Sequence, residues 1–374
     1  MGDGDSGFAV EIQLRWPPFD SDTVIPSALP LATERFRLTE NTESPCDVMI
    51  GQEDDFHIVR KVVKCNSGLS ECRDWRTESS RVPNRIQRSR TGWFIVPNKI
   101  HRLSRKLIPF AVVGIIASLA IHAFEPALVD WGIVDGSFAG SVRLGLLDYP
   151  ILLLVFLPFF FFPIVMRVGA SIWDFRRTRR FRKSLPQSPT IEIMGKATTS
   201  KPVSTRIELK NAPDDWVSAK TRIQVGLLNP RRPMLLHAYG RKEGMQNPPG
   251  ISTPLAIHQY ADAELGSGFG ESTPLQGPDT QRLFMSPLPV LSRGEMVDLP
   301  LEGAELDLPL PDGDWPGSEY HPLFATHWEI LIKIERKMDG PLIFVEHLLM
   351  EHDGGACIIE KMPVQSGRSE FANV

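Results

Sequence analysis

Two apolar segments free of formal charge constrain this chain more than any other feature. Leu107 to Phe124 reads LIPFAVVGIIASLAIHAF and Tyr149 to Met166 reads YPILLLVFLPFFFFPIVM, 18 residues each. Soluble helices carry a polar stripe at a period of 3.6, and neither segment has one. A bilayer core takes roughly 20 mostly apolar residues per helix, a length each segment reaches with a turn of flanking sequence. The expectation is a transmembrane hairpin with spans at 107–124 and 149–166. Pro150, Pro158 and Pro163 interrupt the second segment. Each interior proline removes a backbone donor and favours a kink, so a bent or re-entrant helix stands beside a full crossing.

Orientation follows from the order of the charges, which the net charge of −4 conceals. Arg85, Arg88, Arg90, Lys99, Arg102, Arg105 and Lys106 precede the first segment with no acidic residue among them. Arg167, Arg176, Arg177, Arg179, Arg180, Arg182 and Lys183 follow the second. The connecting residues 125–148 hold Glu125, Asp130, Asp135 and Asp148 against Arg143 alone. Basic residues beside membrane ends stay cytoplasmic. Both termini are therefore expected in the cytoplasm, with 125–148 outside. Trp131 and Tyr149 are placed at the outer interface, and Trp93 and Trp173 at the inner one.

RRTRRFRK (Arg176 to Lys183) has the basic-aromatic character of a nucleic-acid contact. Its place directly after an apolar span favours anionic lipid headgroups at Arg176, Arg177, Arg179, Arg180, Arg182 and Lys183, and no nucleic-acid partner is expected. His122 is ionisable within the first segment, which marks a functional candidate. Two residues from the segment end it reaches the interface, and that reading is preferred to transport.

Residues 1–98 form an N-terminal arm. Phe8, Val10, Ile12, Leu14 and Trp16 alternate with mostly polar neighbours, a strand pattern, and His57 to Cys65 reads as a second strand. Proline-, serine- and acid-rich stretches separate them, with too little apolar material for an independent core. Either the strands join the C-terminal domain or the arm is irregular; the reading preferred is irregular with one docked hairpin. MGDGDS lacks the apolar core of a secretory signal, so none is expected. Gly2 and Ser6 fit a loose myristoylation pattern in which Asp3 sits badly, and a disordered N-terminus is preferred. Four cysteines are too few for a disulfide scaffold, and Cys65 and Cys72 lie at no recognised zinc spacing.

From residue 187 short apolar runs alternate with turns. Strands are expected at Thr190–Met194, Thr205–Leu209, Arg222–Leu228, Pro233–Tyr239, Leu255–Tyr260, Glu295–Leu301, Trp328–Glu335, Leu342–Leu348 and Ala356–Lys361. Within WEILIKIE, Trp328, Ile330, Ile332 and Ile334 share one face, and Glu329, Lys333 and Glu335 the other, with Leu331 as the apolar exception. Asp339–Gly340–Pro341 turns the chain into a hairpin spanning 328–348. The proline-rich LPDGDWPGSEYHPLF (Leu310 to Phe324), the amphipathic HWEILIKIE and the apolar return strand follow one another in a telling order. In that order residues 187–362 resemble arrestin-like and immunoglobulin-like β-sandwich domains. The resemblance implies a binding or scaffolding platform without catalysis; likeness of fold alone assigns no function.

Gly266, Gly268 and Gly270 lack the strand-to-helix frame and the Lys–Ser/Thr pair of a phosphate loop, so the segment Gly240–Gly277 is read as a flexible loop and a candidate partner contact. Glu346, His347, Glu351, His352 and Asp353 form the densest polar group. They lack the H-E-x-x-H order of a zinc protease and fall on a strand and turn. No nucleophile elbow occurs. No catalytic, cofactor-binding or metal residue is therefore assigned.

The sequence reads as a membrane protein: a two-helix transmembrane hairpin within residues 99–183, a mainly-β sandwich domain at 187–362 in the cytoplasm, and a tail at 363–374. The function expected is a membrane-anchored scaffold that presents the sandwich to protein partners and is not an enzyme. An accessory subunit of a larger membrane complex or transporter is the alternative, and a membrane-bound metal-dependent enzyme using the Glu346–Asp353 group the weakest reading.

Overall fold

A computed structural model of the chain describes residues 7–18, 21–22, 24–39, 43–133, 140–229, 232–242, 284–285 and 288–365. The expected strand Leu255–Tyr260, the Gly266–Gly270 group and most of the loop from Gly240 to Gly277 lie outside them. The chain divides into two compact units: Met1–Val96 with Leu185–Val374, and Pro97–Ser184.

The first unit is mainly β. Before the apolar segments it contributes β1 (Gly7–Arg15), β2 (Ala32–Arg37), β3 (Val48–Ile50), β4 (His57–Cys65), β5 (Arg73–Asp74), helix α1 (Asn84–Arg90) and β6 (Gly92–Ile95). The second unit holds helix α2 (Ile100–Asp130), strands β7 (Ser141–Leu144) and β8 (Leu147–Pro150), and helix α3 (Ile151–Lys183). The first unit then resumes with β9 (Thr190–Ile193), β10 (Val203–Glu208), β11 (Trp216–Leu228), helix α4 (Arg232–Ala238), β12 (Val290–Arg293), β13 (Val297–Leu299), β14 (Ala304–Leu308), β15 (Glu319–Tyr320), β16 (Ala325–Arg336), β17 (Leu342–Leu348) and β18 (Cys357–Ile359).

The N-terminal arm is not largely irregular. It supplies five strands of a six-stranded sheet ordered β18-β3-β4-β1-β2-β5. β1 and β4 pair antiparallel over their full length, from Gly7 opposite Cys65 to Arg15 opposite His57. The shortage of apolar residues is made good from outside the arm. Val10, Ile12 and Leu14 are fully buried in one continuous core with Ile223, Val225 and Trp328 of the C-terminal sheet. Phe8, expected on that same face, is 55% exposed.

The C-terminal sheet runs β12-β11-β16-β17-β6, with β13 added against β11 and β15 against β16. A third sheet, β14-β10-β9, completes the unit. The β16–β17 hairpin forms as expected, with Ile334 opposite Leu342. At its turn Asp339 and Gly340 have φ of 67° and 73°. Residues 337–341 link the two strands, and a positive φ among them suits Gly and is tolerated by Asp.

Two expectations need correction here. WEILIKIE presents a polar outer face only at its far end, where Lys333 is half-buried and Glu335 exposed. Glu329 is fully buried against Arg90 of α1, and Leu331 is 1% exposed in a cluster with Val96, Met285 and its sheet neighbours Phe94, Ile343 and Val345. Pro233–Tyr239 falls largely in helix α4 and is not a strand. Its apolar run is too short to fix a period, while Met, Leu and Ala favour helix and Pro233 is tolerated in the first turn.

In the second unit α2 and α3 are 31 and 33 residues long and pass unbroken through Pro109 and Pro126, and through Pro158 and Pro163. At 1.5 Å per residue each is roughly 45–50 Å long, against a hydrocarbon core of ~30 Å. Both are long and apolar enough to cross a membrane. Between them β7 and β8 form a two-stranded ribbon.

Candidate functional site

The most concentrated chemistry lies in the first unit, where its two ends of sequence meet. Cys46 stands just before β3, and Cys357 opens β18. These strands pair in parallel, with Cys357 opposite Val48, and the Cys357 N–H donates to the Asp47 carbonyl at 2.8 Å. His352 follows β17 on a backbone held by two hydrogen bonds: Glu351 N–H to the Ala197 carbonyl, and Thr199 N–H to the Glu351 carbonyl. Gly354 and Gly355, at φ of 88° and 97°, then reverse the chain. That reversal, which other residues adopt only with strain, returns Cys357 to His352.

The three side chains converge. Cys46 Sγ lies 3.9 Å from Cys357 Sγ. His352 Nε2 lies 3.7 Å and Nδ1 4.0 Å from Cys357 Sγ. One ligand atom from each residue falls within 4.8 Å of the other two. Arg60 of β4 reaches in from the side, donating from Nη2 to Cys46 Sγ at 3.2 Å and from Nε to the Cys46 carbonyl at 3.0 Å. Its Nη1 pairs with Glu319. The guanidinium also lies over the rings of Trp75 and Phe324, at 5.7 and 5.8 Å.

Charge is shared unequally between the thiols. The hydrogen bond with Cys357 pulls the Cys46 thiol down to about 4, helped by His352 and Arg60 and opposed by burial. The hydrogen bond with Cys46 and then burial push Cys357 up. The contact with Cys46 raises His352. Such a set can bind a soft or borderline metal ion or act as a dithiol.

A second polar group is wholly buried under the C-terminal sheet. Arg90, the last residue of α1, donates from Nε and Nη2 to the two Glu329 oxygens at 3.0 and 2.5 Å. Gln224 donates to the same carboxylate, and His327 Nε2 lies 3.4 Å from it. His327 Nδ1 in turn meets the Tyr320 hydroxyl at 2.9 Å. Burial lowers His327 and raises Tyr320. These groups are enclosed and mutually paired, which suits holding α1 on the sheet.

The expected candidates disperse. Glu346 and His347 pair with each other, with His347 Nδ1 3.0 Å from Glu346. Glu351 accepts from Lys196 at 3.0 Å, and Asp353 accepts from the Ser200 hydroxyl. Only His352 of that group joins the cysteines. Cys65 and Cys72 stand outside the cluster. His122 lies 3.2 Å from Glu125 one turn on. Arg177 is not an open headgroup contact: it is 6% exposed and donates to Asp174 at 3.2 Å. Asp174 also accepts from the Asn98 N–H and pairs with His101, both at 3.1 Å. Arg176, Arg179, Arg180, Arg182 and Lys183 are exposed.

The Cys46–His352–Cys357 group was missed in sequence because 311 residues separate its two cysteines. The one local signal was a histidine five residues before a cysteine. Comparison of the chain with protein-family models, curated proteins and solved structures finds no match, and the arrestin-like and immunoglobulin-like resemblance gains no support from it.

Proposed function

We propose that the chain is an integral membrane protein that anchors its β-rich unit to the cytoplasmic face of a bilayer and offers it to protein partners. The observation that carries this reading is the surface of the two long helices. Only 11% of each apolar window is buried within the protein. Phe110, Val113, Ile116, Phe159, Phe162 and Val165 are each more than half exposed. Helices from a soluble core bury such residues, and a water-exposed patch of this extent is rare on soluble proteins. Lipid is the solvent that accepts it. The basic residues that follow the second window favour a cytoplasmic location and attraction to anionic headgroups, at roughly 1 kcal/mol per charge near the surface.

Impermeant thiol labelling of intact cells tests the arrangement. Leu146, at the tip of the β7–β8 ribbon, is 94% exposed. L146C is expected to react from outside, while the native chain, whose Cys65 and Cys72 lie on the N-terminal arm, reacts only after permeabilisation. Labelling of the native cysteines in intact cells, with L146C adding nothing, overturns the topology.

A further inference from the structure

We propose that Cys46, His352 and Cys357 form a binding site for a divalent d10 metal ion of the zinc class. The metric fit supports this. With metal–sulfur bonds of ~2.3 Å and metal–nitrogen bonds of ~2.0–2.1 Å at tetrahedral angles, the sulfur–sulfur edge is about 3.8 Å and the sulfur–nitrogen edge about 3.6 Å. The corresponding separations are 3.9 Å between the sulfurs and 3.7 Å between Cys357 Sγ and His352 Nε2. A disulfide would account for the two sulfurs after closure to ~2.05 Å, and would leave the histidine without a role.

The surroundings of the cluster fit a metal as well. Metal-bound histidines hold their ring in place through a hydrogen bond from the other nitrogen. Here Nε2 lies 3.1 Å from the Gly355 carbonyl and Nδ1 lies 3.4 Å from the Thr199 hydroxyl, so either ring nitrogen can ligate while its counterpart keeps a partner. Arg60 does not repel the ion uncompensated, because its charge is matched by Glu319. Binding releases the remaining thiol proton to solvent, two thiolates then neutralise the divalent cation, and the Arg60 N–H to Cys46 Sγ is a hydrogen bond of the kind that tunes a thiolate ligand. Three protein ligands leave a fourth position for water or an external donor. A bound ion would pin the turn at 352–357 to the chain at residue 46, clamping β18 onto β3 across the longest sequence separation in the first sheet.

Cobalt titration of the full-length chain, reduced, stripped with chelator and held in detergent, is the test. One equivalent of cobalt is expected to give thiolate-to-cobalt charge-transfer absorption that zinc then abolishes. C46S, C357S and H352Q are each expected to weaken cobalt binding at least about tenfold, while the C65S/C72S double variant binds as the native chain does. Zinc is expected to raise the unfolding midpoint of the native chain and not of the three variants. The native spectrum decides the matter even if a variant fails to fold. Absence of the thiolate–cobalt band overturns the proposal, as does cobalt binding unchanged in C46S and C357S. Conversion of reduced protein to a Cys46–Cys357 disulfide despite excess zinc also overturns it.

Discussion

Arg90 and Glu329 form a two-pronged ion pair with side chains 1% and 0% exposed. The pair joins the last residue of α1 to the middle of β16, across 239 residues of sequence. Gln224 of the neighbouring strand β11 also donates to the carboxylate.

Removing one member leaves the other charged and buried. Arg90→Ala and Glu329→Ala are each expected to cost about 3–5 kcal/mol in denaturant unfolding. The double substitution Arg90→Met with Glu329→Leu, which removes both charges, is expected to recover part of that loss. A double-variant loss equal to the sum of the two single losses would show that the charges were not coupled.

The same group makes stability depend on pH. Burial alone would raise Glu329, but Arg90 and His327 override it and hold the carboxyl near 2, below its ordinary 4.5. Burial also lowers His327 from its ordinary 6.5. Both groups bind protons more readily once unfolded, so their contribution is present at high pH and is lost as pH falls. These two groups are expected to leave the unfolding midpoint unchanged above pH ~7, to lower it first below about 6.5, and to lower it again between about 4.5 and 2. H327Q is expected to remove the upper step and leave the lower one. Denaturant midpoints measured across this range check both steps.

The N-terminal arm is a structural part of the β-rich unit. Ile12 is fully buried in the core shared with Ile223 and Trp328. Ile12→Ala is expected to lower unfolding stability by about 2–5 kcal/mol. Met338, 68% exposed beside the hairpin turn, serves as the control. Met338→Ala is expected to stay within about 0.5 kcal/mol. A silent Ile12→Ala would mean that the arm does not pack as described.

What the sequence disclosed follows how local the governing physics is. The two long helices were legible because length and missing polarity identify them without knowledge of neighbours. Asp339–Gly340 announced its hairpin for the same reason: backbone strain resides in the residues themselves. The sheet built from β1 to β5 was legible only as two isolated strands, because its apolar face finds cover among residues some 200 positions away, such as Ile223 and Val225. Glu329 looked like an outer-face residue since alternation records the period of a strand and not what lies on its far side. Arg90 likewise counted as one of seven basic residues before the first apolar segment, when its guanidinium belongs under the sheet. His352 has partners that its sequence neighbours do not reveal. Sequence adjacency grouped it with Glu346, His347, Glu351 and Asp353, whereas the parallel pairing of β18 with β3 brings it to Cys46.

The proposed anchoring role requires that α2 and α3 reside in hydrocarbon. Alkaline carbonate extraction of membranes from cells producing the full chain tests it most directly, because it strips proteins held at the surface by charge and leaves those that span. The chain is expected to remain entirely in the membrane pellet. Its release into the supernatant would show that the exposed faces around Phe110 and Phe162 meet something other than lipid, and the anchoring role would fall with them.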